Sequence, residues 1–283
     1  MMQRPDGRHF LSVAAVGIAI ATAACGPPPP SSTPGTPEFY WKAAHETFAS
    51  ADYDKTNHNL EQLIAKPNAF SSRAQPWRLI ITAGMVRGYS ELADNFEYGA
   101  RSNKTNPTPF RTQMSLYRQM AGQAALQFAE TLLEFNKRDR SQPVPLDFSY
   151  PSGSSAKVPE LTKIANGIPV QEAEIASIEK RTLQRGVLTV TFDAVGAPND
   201  AAKTQALFKA GNVQVPVEVF DLAIAKNLFE FAKLFDVQKL DQPQRVEFFC
   251  KLGMDMLKGL KPSPETKKLS ADFEKLLKSV KKR

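Results

Sequence analysis

The sequence predicts an all-α protein, and three observations carry that expectation. Apolar residues recur at steps of three and four from residue 37 to 138 and again from 161 onward, the spacing that lines one face of a helix. Strand-like alternation is confined to residues 187–195, and the only segment suited to pair with it, 212–215, is short. Helix punctuation is explicit at Ser263-Pro264-Glu265, where a capping hydroxyl, a first-turn proline and an acid near the positive end of the helix dipole follow one another.

Taken in order, a helical pair covers 38–65, broken at Ala51-Asp52 and ended before Pro67. The next segment, 76–95, sets Trp77, Ile80, Ile81, Gly84, Gly88 and Leu92 on adjoining faces. Glycines at that spacing lower helix propensity and are expected to let a neighbouring helix approach closely. Residues 112–137 space Tyr117, Ala121, Ala124, Phe128, Leu132 and Phe135 as an amphipathic helix. Composition then changes: Pro143, Pro145, Pro151 and Ser152-Gly153-Ser154-Ser155 make 141–159 read as a linker or long surface loop between helical regions 38–140 and 160–283.

Helical spacing resumes with Leu161, Ile164 and Ile168, then Ile175, Ile178 and Leu183. In 187–195, Leu188, Val190, Phe192 and Ala194 alternate with Thr189, Thr191 and Asp193, which read alone is a strand and implies a short β-hairpin around 187–219. The same stretch fits a helix, because Leu183, Val187, Val190 and Ala194 keep a helical step, and the helix is preferred. Pro216 opens a helix whose Val217, Phe220, Ile224, Leu228, Phe231 and Phe235 cover most of its circumference, so it should be central and buried. Another helix, 243–259, turns Val246, Phe249, Cys250, Gly253 and Leu257 inward; the last lines up Leu269, Phe273, Leu276 and Val280 and exposes lysines.

The formal charge of +7 is unevenly placed, since residues 251–283 contain ten Lys/Arg against four Asp/Glu. The remainder is near neutral, which argues against a nucleic-acid partner. Lys267, Lys268, Lys275, Lys278, Lys281 and Lys282 form a basic surface suited to anionic headgroups or an acidic partner, or simply to solubility. Chemistry is sparse. His45 and His58 lack a second ligand at metal-site spacing, no Gly-x-Ser-x-Gly elbow occurs, and Ser152-Gly153-Ser154-Ser155 is not followed by the Gly-Lys-Ser/Thr of a phosphate loop. Cys250 lies on an apolar helix face, where it reads as a small hydrophobe. The expectation is a non-enzyme without metal or cofactor, in a chain long enough to need no disulfide.

The first 24 residues have the order of a secretory signal peptide: Arg4 and Arg8, an uncharged apolar run over 10–24, and small residues Thr22-Ala23-Ala24 before Cys25. The run is too short for a membrane span, which needs roughly 20 residues. Ala23-Ala24-Cys25-Gly26 resembles the lipobox of bacterial lipoproteins, with Thr22 where that family usually has an aliphatic residue. The resemblance implies cleavage before Cys25, lipidation of that thiol and a membrane anchor; Gly26 resembles the outer-membrane sorting pattern of some bacteria. Residues 26–37 hold six prolines and form a semi-rigid spacer.

Residues 40–67 resemble a tetratricopeptide repeat, with Tyr40, Ala44, Ala51-Asp52-Tyr53-Asp54-Lys55-Thr56, Leu60, Leu63 and Pro67 in step. Ala51 stands where the family has the turn glycine, and Thr56 where it has the alanine of its second helix. The resemblance implies antiparallel helical hairpins and a concave groove onto which Glu38, Trp41, His45 and Phe48 face as partner-binding residues. The function expected is that of a membrane-tethered, periplasm-facing adaptor with a protein partner in the cell envelope. The alternative is a solute-binding accessory of a transporter, with an enclosed apolar pocket lined by Trp77, Phe128 and Phe231.

Overall fold

A 32-residue helix, α3 (Ser71–Ser102), runs through the centre of the fold and touches five other helices. The coordinates are a computed structural model, which describes residues 33–281. The expected signal peptide, Cys25 and most of the proline-rich spacer lie outside the described residues.

The fold is all-α, as the spacing predicts. Helices α1 (Pro37–Ala49), α2 (Tyr53–Ile64), α3 and α4 (Thr108–Phe135) form successive hairpins. Thr36 caps α1 by accepting from Phe39 N–H at 3.3 Å, and Asp52 caps α2 by accepting from Lys55 N–H at 3.2 Å. Between them Ala51 is forced to φ +56°, the left-handed region that a glycine would occupy without a Cβ penalty. α3 begins earlier than its apolar pattern suggests. Asn68 and Ser71 side chains both donate to the Leu63 carbonyl, at 2.7 and 2.9 Å, and tie its start to the end of α2.

The remaining helices are α5 (Pro159–Ala165), α6 (Glu172–Ala194), α7 (Ala201–Ala210), α8 (Val217–Leu234), α9 (Pro243–Lys258) and α10 (Pro264–Lys281). Residues 187–194 are therefore helical. The apparent alternation arises because the polar residues of this stretch are satisfied within the fold. Thr191 Oγ donates to the Val187 carbonyl at 2.8 Å, Thr189 Oγ to the Arg185 carbonyl at 2.8 Å, and Asp193 accepts from Arg87 at 2.8 Å. Glycines set the α3–α6 distance. A Cβ on Gly84 would lie 2.6 Å from Val187 Cα, and one on Gly186 would lie 2.2 Å from the Gly84 carbonyl oxygen, so the two backbones meet directly.

Residues 212–215 do supply a strand, but with a different partner. β2 (Val213–Val215) pairs antiparallel with β1 (Val144–Leu146), Val144 opposite Val215 and Leu146 opposite Val213. This corrects the reading of 141–159 as a linker or surface loop. Val144, Leu146 and Phe148 are buried and belong to one hydrophobic core that extends from Ala44 to Phe273. The segment is a strap across the fold, and its prolines are compatible with strand structure because a two-stranded ribbon has only edges.

α8 is central and buried, as its all-round apolar sequence predicts: Phe220, Ile224, Leu228 and Phe231 are all at most 1% exposed. Phe273 of α10 reaches inward over Gly253 of α9, where a Cβ would collide with the ring at 2.2 Å. Ile168 departs from its expected helical register. α5 ends at Ala165, Gly167 turns the chain at φ +76°, and Ile168 is left 52% exposed. Among the described residues, no helix is long and apolar enough to cross a membrane.

Candidate binding surfaces

The α1 face expected to line a groove is covered by the strap. Phe148 places its ring 5.3 Å from Trp41, 4.2 Å from His45, 5.1 Å from Phe48 and 4.8 Å from Trp77, centroid to centroid. Trp41 also stacks on Phe70 at 5.3 Å, with the Arg73 guanidinium 4.7 Å above its ring. Arg73 pairs with Asp147, next to Phe148, and so fastens the strap to α3. Phe48 is fully buried, Trp41 and His45 are half-buried, and of the four residues only Glu38 is exposed. Burial pushes the His45 pKa below the ordinary histidine range, opposed in part by Asp147 and assisted by Arg73. An open aromatic strip on α1 is thus replaced by an aromatic cluster, because the covering ring comes from a segment about a hundred positions away in the chain.

Nor do Trp77, Phe128 and Phe231 enclose a shared cavity. All three are fully buried; Trp77 stacks on Phe148, while Phe128 meets Phe231 edge to face at 5.0 Å. On α10, Lys267, Lys268, Lys275 and Lys278 are exposed and make no ion pair among the described residues. Lys282 and the side chain of Lys281 lie outside the described residues. Cys250 is buried, and burial pushes its thiol up to about 12, so it is protonated and unreactive at neutral pH.

Two of the open clefts among the described residues have linings suited to binding. The first lies where α3 ends, α4 begins and the chain turns between α5 and α6, with a volume of ≈ 470 Å³. Phe96, Phe110, Pro109, Pro169, Val170 and Ile175 form its apolar walls, Asn106, Thr108, Thr112 and Gln113 supply polar atoms, and no charged side chain lines it. Its loops are tied together. Ser102 Oγ donates to the Ala165 carbonyl and Asn103 Nδ2 to the Gly167 carbonyl, both at 3.0 Å. Gly99 permits this approach, since a Cβ there would stand 2.3 Å from the Ile164 carbonyl oxygen. None of these lining residues is evident as a site from helical periodicity. The available signal was apolar residues at a helix start, Pro109-Phe110, and in a turn, Ile168-Pro169-Val170, where solvated segments ordinarily carry polar ones.

The second cleft, of ≈ 220 Å³, lies between α2, α3 and α4 and is polar. Asp54, Asn57, His58 and Glu61 face Tyr89, Gln123 and Gln127 across it, with Met85 and Met120 in its walls.

Neither protein-family models, nor curated proteins, nor solved structures match the chain.

Proposed function

We propose that this chain is an exported lipoprotein, anchored through Cys25 on the periplasm-facing side of a bacterial envelope membrane, the outer one by the pattern at Gly26, and acting there as a non-catalytic adaptor. The signal-like leader, Cys25 and the proline-rich spacer support the address. The observation that carries the binding role is the uncharged apolar cleft beside Phe96 and Phe110. Its floor favours an apolar segment, and its amides and hydroxyls are of the kind that pair with a peptide backbone. The partner engages this cleft through an uncharged, apolar stretch of chain. The Trp41, His45 and Phe48 face supports the fold beneath the strap, and Glu38 stands clear of it.

A solute-binding accessory is the competing reading, favoured by the cleft's volume, which falls within the roughly 300–1,000 Å³ of small-molecule sites. One experiment separates the two. A photoreactive residue in place of Gln113 should capture a discrete envelope protein in intact cells, and Ile175→Glu should abolish that capture. Recovery of a small apolar molecule with no protein would instead establish the solute binder. Independently, Cys25→Ser should release the chain from membranes; unchanged partitioning and gel mobility would defeat the anchor.

A further inference from the structure

The last helix presents a face of lysines. α10 is fixed to the body of the fold by its other side. The Ser263 N–H donates to the Thr266 hydroxyl at 2.8 Å and the Thr266 N–H to the Ser263 hydroxyl at 3.1 Å, closing the first turn. Phe273 is fully buried over Gly253 and meets Phe229 edge to face at 5.2 Å. The opposite face is therefore held outward at a set angle. Lys267 and Lys278 lie about three turns apart and Lys268 and Lys275 about two, so at 3.6 residues per turn they form two neighbouring rows with Ala271 between them. All four lysines and Ala271 are exposed, and none of the four makes an ion pair among the described residues. The acids of the helix stand to the sides: Asp272 and Glu274 flank the rows, and Glu265 is engaged by Lys226 at 2.6 Å.

This face has the wrong make-up for a docked protein. Protein interfaces are built around a desolvated apolar or aromatic centre and are depleted in lysine. The α10 rows offer one alanine and four strongly hydrated ammonium groups on flexible stems. An anionic bilayer asks for no apolar centre, only for several cations that meet a diffuse layer of phosphate charge together. The sequence also supplies nearness to such a surface. Residues 26–37, with six prolines, read as a spacer that extends about 3.1 Å per residue from Cys25. A contact too weak to hold a free protein becomes effective when an anchor makes it intramolecular.

We propose that the lysine rows of α10 lie on anionic phospholipid headgroups of the membrane in which Cys25 is anchored, a second and purely electrostatic contact that sets which side of the fold faces the lipid. The inference rests on the export and anchoring reading for the membrane's nearness. It does not depend on the apolar cleft or on the adaptor role.

The test is co-sedimentation, at low salt and with excess lipid, of the purified chain from residue 25 onward carrying Cys25→Ser. The vesicles are phosphatidylcholine alone or phosphatidylcholine mixed with phosphatidylglycerol. Binding should require phosphatidylglycerol and be lost at about 1 M salt, where the Debye length is about 3 Å. Lys267→Gln, Lys268→Gln, Lys275→Gln and Lys278→Gln together should weaken it by about fivefold for each lysine removed, the worth of one lysine at an anionic surface, with unchanged circular dichroism. The same replacement at Lys104, Lys163, Lys203 and Lys209, exposed lysines elsewhere on the fold, removes equal charge and should leave binding nearly intact. No partition to the phosphatidylglycerol vesicles, equal partition to phosphatidylcholine alone, or equal loss in the two variants would overturn the proposal. The tested chain carries no lipid, so these outcomes are independent of the anchor, which release of Cys25→Ser from cell membranes tests separately.

Discussion

Two aromatic faces of this protein have similar ingredients and opposite fates. On α1, Trp41, His45 and Phe48 are spaced to project from one side, yet Phe148 closes over them and Arg73 and Asp147 fasten it down. Near the α3–α4 turn, Phe96 and Phe110 are themselves buried, but the groove they floor beside Pro109, Val170 and Ile175 stays open. The difference does not lie in the faces themselves. It lies in whether a distant segment closes over the groove beside them, and the strap does so at one end of α3 while the α5–α6 turn stops short at the other.

Replacing the lid should have the largest effect. Phe148→Ala removes a buried ring that touches four aromatic side chains, and should cost about 3–5 kcal/mol in chemical denaturation. The chain's two tryptophans, Trp41 and Trp77, both contact Phe148, so their emission should shift to the red before the helices melt. A loss below about 1 kcal/mol with unchanged emission would mean that the strap is not integral to the core. Arg73→Ala tests the fastening. Losing the guanidinium over Trp41 together with a partly exposed ion pair should cost about 1 kcal/mol and make the indole more accessible to acrylamide.

These faces also show where the sequence is readable. The helices were legible because each buries a stripe whose period is written locally, as in α4, α8 and α10. Even the ambiguous 187–194 stretch is settled by the helical step of its apolar residues, once Thr191 and Asp193 are seen to be satisfied within the fold. The strap was not legible. Val144, Leu146 and Phe148 are few and set among prolines and serines, and their burial depends on pairing with Val213–Val215 across a long loop. Ile168 misled for the converse reason, since its spacing from Ile164 fits a helix that Gly167 has already ended. The apolar cleft escaped because it forms where parts of α3, α4 and α6 meet the turn before α6, and no single period records that meeting.

The turn that aims α1 at the strap allows a smaller test. Ala51 has φ +56°, so Ala51→Gly should relieve left-handed strain, partly offset by the freedom glycine gains when unfolded and by the loss of a buried methyl group. A net gain of about 0.5 kcal/mol is expected in urea denaturation. A loss would show that burial of the Ala51 methyl group outweighs the backbone strain.

The smallest change in stability should come from the open face, and there it carries the most information. Val170 is half-buried in the cleft wall and Ile168, two positions before it, is 52% exposed, so Ile168→Ser with Val170→Ser should leave stability within about 0.5 kcal/mol of the parent. The same double variant should abolish photocapture of a partner from position 113, because the rim would no longer offer an apolar seat. Trp41→Ala provides the counterpart: it should lower stability, since Trp41 packs on Phe70 and Phe148, and leave capture intact. If capture instead survives the rim substitutions and fails with Trp41→Ala in a folded protein, the two faces exchange roles, and the strap becomes a cover that must open for the α1 face to bind.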